Sequence, residues 1–355
     1  MRKSAPAEAR PLPKTFVLEL TRRCNHRCHH CYAVWGPAPA RAAAGANGEM
    51  STQQLMDTVA RLQDETPVEN LALSGGEPLL RQDLPEILRF LRQRDISPVV
   101  ITNGRLLTPE KVEATRDAGA FEITLFSYRR EVHDELAGCR GAWNAAVNGM
   151  ANLRRAGRDF VAVFVATSLN YQDLSKTVEL AIALGAYGLM YNRVNFAVHN
   201  VARGAQLLPS ADMIRQNLDT LEKAGERYGL PIAVSVVIEP CVVDTRPYQH
   251  IHFGWCPLAG ENSYFTIDPS GDMRICNHSP VVLGNIRQGG FAEIYYGHPH
   301  VKEFRETWPV ECADCDPQLK QMCGGGCKAA AEQCYGTLER VDPFVTWCRE
   351  QQGTA

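Results

Sequence analysis

Cys24, Cys28 and Cys31 put three thiols within eight residues, spaced C-x3-C-x2-C, directly after the apolar run Phe16-Val17-Leu18-Glu19-Leu20. Three thiolates on one short loop can hold three irons of a 4Fe-4S cube. Such cubes are ordinarily held by four thiolates, so the fourth iron is then open to a small molecule. Zinc is the competing chemistry. Its sites pair thiols at short spacing with a second pair or with imidazole, and His26, His29 and His30 lie in the same stretch. A disulfide framework does not suit a chain of 355 residues without a secretory signal.

Two further groups of residues carry chemistry. Ser74-Gly75-Gly76-Glu77-Pro78 follows a short apolar run. Its glycines permit positive φ and close backbone approach, so main-chain carbonyls could meet a ligand's ammonium group. Taken alone, the same stretch reads as a tight strand-to-helix turn. The third group is a C-terminal array. Of the 13 cysteines, nine lie from Cys241 onward: Cys241, Cys256, Cys276, Cys312, Cys315, Cys323, Cys327, Cys334 and Cys348. Cys256 is followed by 14 residues and then Gly271-x4-Cys276; Cys312-x2-Cys315 precedes Cys323-Gly-Gly-Gly-Cys327 by seven residues. The triple glycine suits a bulky cube past which backbone must run, and a zinc ribbon is the competing reading. Cys139 reads as a small buried hydrophobe.

The elements that must position these groups alternate along the chain. Apolar runs at Phe16–Leu20, Leu71–Ser74, Val99–Thr102, Phe121–Phe126, Phe160–Ala166 and Tyr187–Tyr191 read as strands. Helical spacing marks Met50–Gln63 (with Ser51 as N-cap), Leu84–Arg94, Pro109–Ala118, Ala142–Ala156, Leu174–Leu184 and Leu207–Tyr228. Such alternation predicts a parallel sheet with right-handed crossovers, and six strands make a partial barrel, open on one side. Sites in these sheets gather at the carboxyl ends of the strands, where the thiol loop already sits. Gly36–Gly48 reads as a mobile loop over the thiols. Pro231–Ile238 is strand-like, and a change to short elements places a boundary between Tyr228 and Trp255.

The thiol triplet followed by an aromatic residue, the Gly-Gly-Glu-Pro stretch and the C-terminal array together resemble the radical S-adenosylmethionine (radical SAM) enzymes that carry a SPASM extension. The resemblance runs from Thr15 to Arg349. It departs from the family pattern at the seven residues before Cys323, where five are usual, and at Phe126-Ser127, where relatives often carry Asp-Gly. It implies an α/β fold, a partial (β/α)6 barrel with a small, loop-rich iron–sulfur domain. Residues 1–14 would be a flexible N-terminus, 15–230 the barrel, 231–255 a bridge and 256–355 the SPASM domain. It further implies three 4Fe-4S clusters and S-adenosyl-L-methionine as cofactors. Cys24, Cys28 and Cys31 would hold the SAM-binding cluster. Cys256, Cys276 and Cys327, with Cys241 as fourth ligand, would hold one auxiliary cluster; Cys312, Cys315, Cys323 and Cys348 would hold the other. Cys334 lies outside the pattern and competes with Cys348 or is spare. SAM would meet Tyr32, Gly75, Gly76, Glu77, Pro78, Asn103, Thr124, Ser168 and Asn170, several of which read equally well as turn or cap residues. Tyr191, Asn192 and Arg193 would line the substrate mouth, with a solvated surface charge the other reading of Arg193.

The activity so implied is reductive cleavage of SAM to a 5′-deoxyadenosyl radical that abstracts hydrogen from a substrate carbon. Oxidation or crosslinking of a ribosomally made peptide is the favoured outcome. The alternatives are the same chemistry on a small molecule (an aminoglycoside or a tetrapyrrole) and a non-catalytic, multi-cluster electron-transfer protein. A flavodoxin- or ferredoxin-type reductant is the expected partner. Only 23 residues precede Cys24, so a peptide substrate is expected to need a separate leader-binding protein or to dock directly. A net charge of −3 gives no reason to expect nucleic acid or an anionic membrane as partner. No apolar run approaches the ~18 residues that span a bilayer. The expected location is cytoplasmic, where cysteines serve metals rather than disulfides.

Overall fold

Strands and helices alternate along the barrel region, and the computed structural model, which describes residues 11–36, 48–258 and 260–353, lays the first six strands side by side in chain order. They are β1 (Thr15–Glu19), β2 (Asn70–Ser74), β3 (Ser97–Thr102), β4 (Ala120–Thr124), β5 (Phe160–Ala166) and β6 (Gly188–Arg193). Each pairs in parallel with the next, from Leu18 against Leu73 in β1–β2 to Ala166 against Arg193 in β5–β6. Parallel neighbours require crossovers. These are α1 (Thr52–Glu65), α2 (Leu84–Gln93), α3 (Pro109–Ala114), α4 (Arg130–Ala137), α5 (Ala142–Arg155) and α6 (Leu174–Leu184). The result is the α/β partial-barrel architecture that the alternation implies.

Local chemistry explains several boundaries. Ser51 and Gln54 form a reciprocal capping box at the start of α1. Leu84, Ile87, Leu88 and Leu91 bury one face of α2. Between β4 and α5, α4 occupies a stretch whose charged, short pattern gives little signal in the sequence. A short helix, α7 (Val201–Leu207), ends before Pro209, and the helix expected over Leu207–Tyr228 is α8 (Ala211–Tyr228), capped by Ser210.

The sheet continues beyond the six strands at both edges. On the β6 side, β7 (Ile232–Val234) and β8 (Ile251–Phe253) add in parallel. On the β1 side, β9 (Phe265–Ile267) pairs in parallel with β1, and the antiparallel β10 (Asp272–Arg274) and β11 (Gly284–Asn285) complete an 11-stranded mixed sheet. The C-terminal region thus grows from the first strand's free edge, before five helices: α9 (Phe291–Gly297), α10 (Pro299–Glu306), α11 (Pro317–Cys323), α12 (Lys328–Tyr335) and α13 (Pro343–Gly353). Aromatic rings of Phe16, Phe265, Phe291 and Tyr295 interlock at this junction, with centroids 5.1 to 5.6 Å apart. Among the described residues no helix is long and apolar enough to cross a membrane. The loop expected over the thiols falls largely on residues 37–47, outside the described residues, as does most of the N-terminal segment.

Candidate active site

The loop leaving β1 continues to pair with β2 after both strands have formally ended. The Leu20 N–H donates to the Ser74 carbonyl at 2.9 Å, Gly76 N–H to Thr21 O at 2.7 Å and Glu77 N–H to Arg23 O at 2.9 Å. A Cβ on Gly75 would lie 2.5 Å from Thr21 O, at a φ of +126°, and one on Gly76 would lie 2.1 Å from Arg23 O. The glycines are therefore required by the thiol loop's own backbone, whatever they also offer a ligand. On the far side, Arg27 and His29 donate their N–H groups to Ala137 O and Leu136 O at the end of α4, at 3.0 and 3.2 Å. The Asn200 amide holds Cys31 O at 3.0 Å. Cys24, Cys28 and Cys31 are in this way fixed from three directions.

Their loop walls a cavity of about 270 Å³ at the carboxyl ends of the strands. Period-2 alternation supplies the rest of the wall: Glu122 and Thr124 from β4, Val163 and Val165 from β5, Met190 and Asn192 from β6. Tyr32, Ser74, Gly75, Gly76, Asn103 and Arg193 also face it. The Tyr32 ring packs 4.7 Å from His278. Its hydroxyl meets Asn277 and Ser74, and burial pushes its pKa up to about 12.

The buried atoms of this wall show what the cavity suits. His26 Nε2, His30 Nδ1 and His278 Nδ1 are buried without a hydrogen-bond partner, and all three residues line the cavity. Burial lowers each imidazole to about 4, so all three are neutral near pH 7. Unpaired buried nitrogens are costly, and a polar ligand is the natural remedy. Among the described residues no group of three His, Cys, Asp or Glu side chains is arranged to hold a single metal ion. A zinc site would gather its ligands around one ion, whereas a cube takes one thiolate per iron. Three half-buried sulfurs along one cavity wall fit the cube.

Other residues expected at this site have different work. Glu77 and Pro78 are buried and turned away from the cavity. Glu77 accepts from Thr102 Oγ1 at 2.7 Å, Asn103 N at 2.9 Å and Leu79 N at 3.1 Å, clamping the end of β3 to the Gly-Gly turn. Burial pushes its carboxyl up to about 7, against those three bonds. Asn170 is wholly buried and ties Phe126 O and Val165 O with its amide, at 2.7 and 3.0 Å, while Ser168 bonds Gln206 O at 3.0 Å; neither reaches the cavity. Tyr191 is buried rather than at a mouth, stacked on Phe164, its hydroxyl 3.1 Å from Asn217 Oδ1. Asn192 faces the cavity and accepts from Ser235 and Val236. Arg193 is no solvated charge. It is fully buried, 2.6 Å from Asp342 and 3.2 Å from Glu239, with its guanidinium 4.3 Å from the Phe344 ring. Cys139 is half-buried beside the Arg105 guanidinium, not enclosed in the core. Glu122 and His278 are cavity residues that sequence reasoning passed over; for Glu122 the signal is an acid two residues before Thr124 on an otherwise apolar strand.

The C-terminal thiols fall into neighbourhoods. Cys256, Cys276 and Cys327 lie within one another's electrostatic reach; burial first, with Asp342 beside Cys327 and the neighbouring thiols after it, pushes them up to about 11, 12 and 12. Cys241, expected with that set, instead feels Cys312, Cys315 and Cys323. Burial also raises Cys348, to about 12; its electrostatic neighbours are Arg193, Glu239 and Asp342. Cys334 feels Asp342, and burial raises it to about 11. Buried thiols of this kind release protons when a metal binds them.

Comparison with known proteins gives the family. Residues 18–181 match the radical SAM superfamily, and residues 256–316 match an iron–sulfur cluster-binding domain, SPASM. The mycofactocin maturase MftC of Mycolicibacterium smegmatis is 30% identical over 93% of this chain and 82% of its own length. The AdoMet-dependent heme synthase of Methanosarcina barkeri is 27% identical over 94% and 97%. Streptococcus suis SuiB, solved with its precursor peptide SuiA, shares the fold at a TM-score of 0.73 and 18% identity, covering 94% of this chain and 76% of that one. The chain belongs to the radical SAM superfamily and carries a SPASM iron–sulfur domain.

Proposed function

We propose that the protein modifies a ribosomally made peptide, by oxidation or crosslinking, through radical SAM chemistry. The observation that carries the radical chemistry is the meeting of three thiols, a Gly-Gly turn and unpartnered buried imidazole nitrogens on one cavity wall. A 4Fe-4S cluster with one thiol-free iron, together with SAM, supplies an electron and a sulfonium from which a hydrogen-abstracting radical can be made. Cys24, Cys28 and Cys31 hold that cluster. Ser74, Gly75, Gly76, Asn103 and Thr124 offer polar contacts to SAM, and Glu122 offers a carboxylate. Phe126, Val163, Val165 and Met190 keep water from the reacting region. Two auxiliary clusters complete a set of three, one on Cys256, Cys276 and Cys327, the other drawn from Cys312, Cys315, Cys323, Cys348 and Cys241. The division into a catalytic barrel (15–230), a bridge (231–255) and a cluster domain (256–355) belongs to the same reading. So do a cytoplasmic location, a flavodoxin- or ferredoxin-type reductant and a separate leader-binding partner.

Peptide maturation is supported by the likeness to a maturase and by the shared fold of an enzyme solved with its precursor peptide. The likeness to heme synthase, which covers almost both whole chains, favours a second reading, tetrapyrrole modification. Anaerobically reconstituted protein should hold about 12 iron per chain and form 5′-deoxyadenosine only with dithionite. Zinc in place of iron, with no SAM cleavage, would overturn the enzyme reading. Incubation with short peptides encoded beside the gene should lower a peptide's mass by lost hydrogen. Conversion of an iron porphyrin precursor instead would replace the peptide by a tetrapyrrole.

A further inference from the structure

We propose that Asn195 sets the reduction potential of the cluster held by Cys327, by donating a side-chain hydrogen bond to the cysteine sulfur, and that Arg193 and Asp342 are the frame that keeps the two aligned. The inference rests on the reading of Cys327 as a cluster ligand and adds a tuning residue that lies in the barrel rather than among the thiols.

Asn195 lies two residues beyond the end of β6 and is almost fully buried. Its Nδ2 is 3.2 Å from Cys327 Sγ. The Phe196 N–H donates to Asn195 Oδ1 at 3.0 Å, and an N–H can only meet the amide's oxygen, so the amide nitrogen must face the sulfur. The Cys327 N–H donates to Asp342 Oδ2 at 2.9 Å, and that same oxygen receives Arg193 Nη2 at 2.6 Å. Asn195 of the barrel therefore meets one cysteine of the C-terminal region at its sulfur, and Arg193 holds the carboxylate that receives that cysteine's backbone N–H. The segment before it is packed too closely to carry a side chain. Gly326 has a φ of +82°, and a Cβ there would lie 2.5 Å from Glu239 Oε1 and 2.6 Å from Asp342 Cβ.

A donor aimed at a ligand sulfur stabilises negative charge on the cluster, and the reduced form carries one electron more. Hydrogen bonds to the sulfurs are among the means by which a protein sets such potentials. Asn195 also lines the cavity beside Asn192 and Met190, so the residue that meets Cys327 is part of the wall facing a bound substrate. The chain thereby places a potential-setting contact on the boundary between the two regions.

The test is an EPR-monitored redox titration of the full, anaerobically reconstituted chain, comparing wild type with Asn195→Leu and Asn195→Ala, neither of which donates. One midpoint should move to lower potential and the other two stay in place. A roughly tenfold smaller reduced fraction at fixed potential corresponds to ~59 mV for one electron. Asn195→Ala, which also removes the amide donor, should move that midpoint in the same direction. Unshifted midpoints in either fully loaded variant, or loss of iron from both, would overturn the proposal. Cys327→Ala separates the two levels: it should lose about four iron, and full retention of iron would mean that Cys327 is no ligand, a failure of the underlying reading rather than of the hydrogen bond.

Discussion

The two thiol regions are built in opposite ways. Cys24, Cys28 and Cys31 come from eight consecutive residues, held by backbone bonds that extend β1–β2 pairing and by the end of α4. The C-terminal thiols come from segments spread between Cys241 and Cys348, and what gathers them is buried charge. Arg193 lies between Glu239 and Asp342, with all three side chains inaccessible to solvent. Burial drives the Glu239 carboxyl upward, against the pull of Arg193. A second buried pair, Arg274 and Glu19, ties β10 to β1. A site made from one loop depends on local backbone geometry, and one assembled from distant segments depends on long-range contacts. The two should therefore fail separately.

The largest effect is expected at the long-range end. Arg193→Met leaves two buried acids without their cation, and removing one partner of a buried ion pair costs about 3–5 kcal/mol. Urea denaturation should register that loss, and iron analysis should show the C-terminal clusters depleted while SAM still perturbs the thiol-loop signal. Equal loss from both regions would break the distinction drawn here.

Gly76→Ala is the converse test. A methyl group 2.1 Å from Arg23 O must push the thiol loop off the Gly-Gly turn, at a cost of roughly 1–3 kcal/mol for overpacking. SAM affinity, measured by the cluster's spectral response, should fall, with C-terminal iron unchanged.

The smallest effect concerns pH. Arg81 donates to Leu20 O and Met50 O, at 3.1 and 3.0 Å, and pairs with Asp83, so it braces the entry to the thiol loop. The Arg81 hydrogen bonds hold the Asp83 carboxyl at about 2, below its usual 3.8. A lowered acid adds stability above its unfolded value and loses it as pH falls through the folded one. Denaturation midpoints of wild type and Asp83→Asn should differ at pH 5 and converge as pH approaches 2. A gap that is constant across this window would remove Asp83 from the brace.

The same contrast explains how much could be read in the sequence. Strand alternation, helix spacing and the thiol loop's position are local, and β1 to β6 appear in the expected order with that loop at their carboxyl ends. Arg193 ends β6, and nothing nearby says that its partners are Glu239 and Asp342. Tyr191 faces away from the cavity because the period of two that points Met190 and Asn192 inward points their neighbour outward, a parity the sequence contains but whose sign only packing decides. Gly75 and Gly76 are recognisable as glycines of a special turn, whereas the backbone that crowds them lies more than 50 residues earlier. Cys241 illustrates the limit most clearly, since spacing alone cannot say which thiols lie across the fold from it.

The central claim is that the first three cysteines, and no others, hold the cluster that meets SAM. EPR of dithionite-reduced, anaerobically reconstituted protein, with and without SAM, tests it in wild type and in the Cys24→Ala/Cys28→Ala/Cys31→Ala variant. The account predicts a SAM-sensitive signal in wild type that is absent from the variant, which keeps about two-thirds of the iron. A SAM-sensitive signal that persists in the variant, or none in wild type, would contradict it.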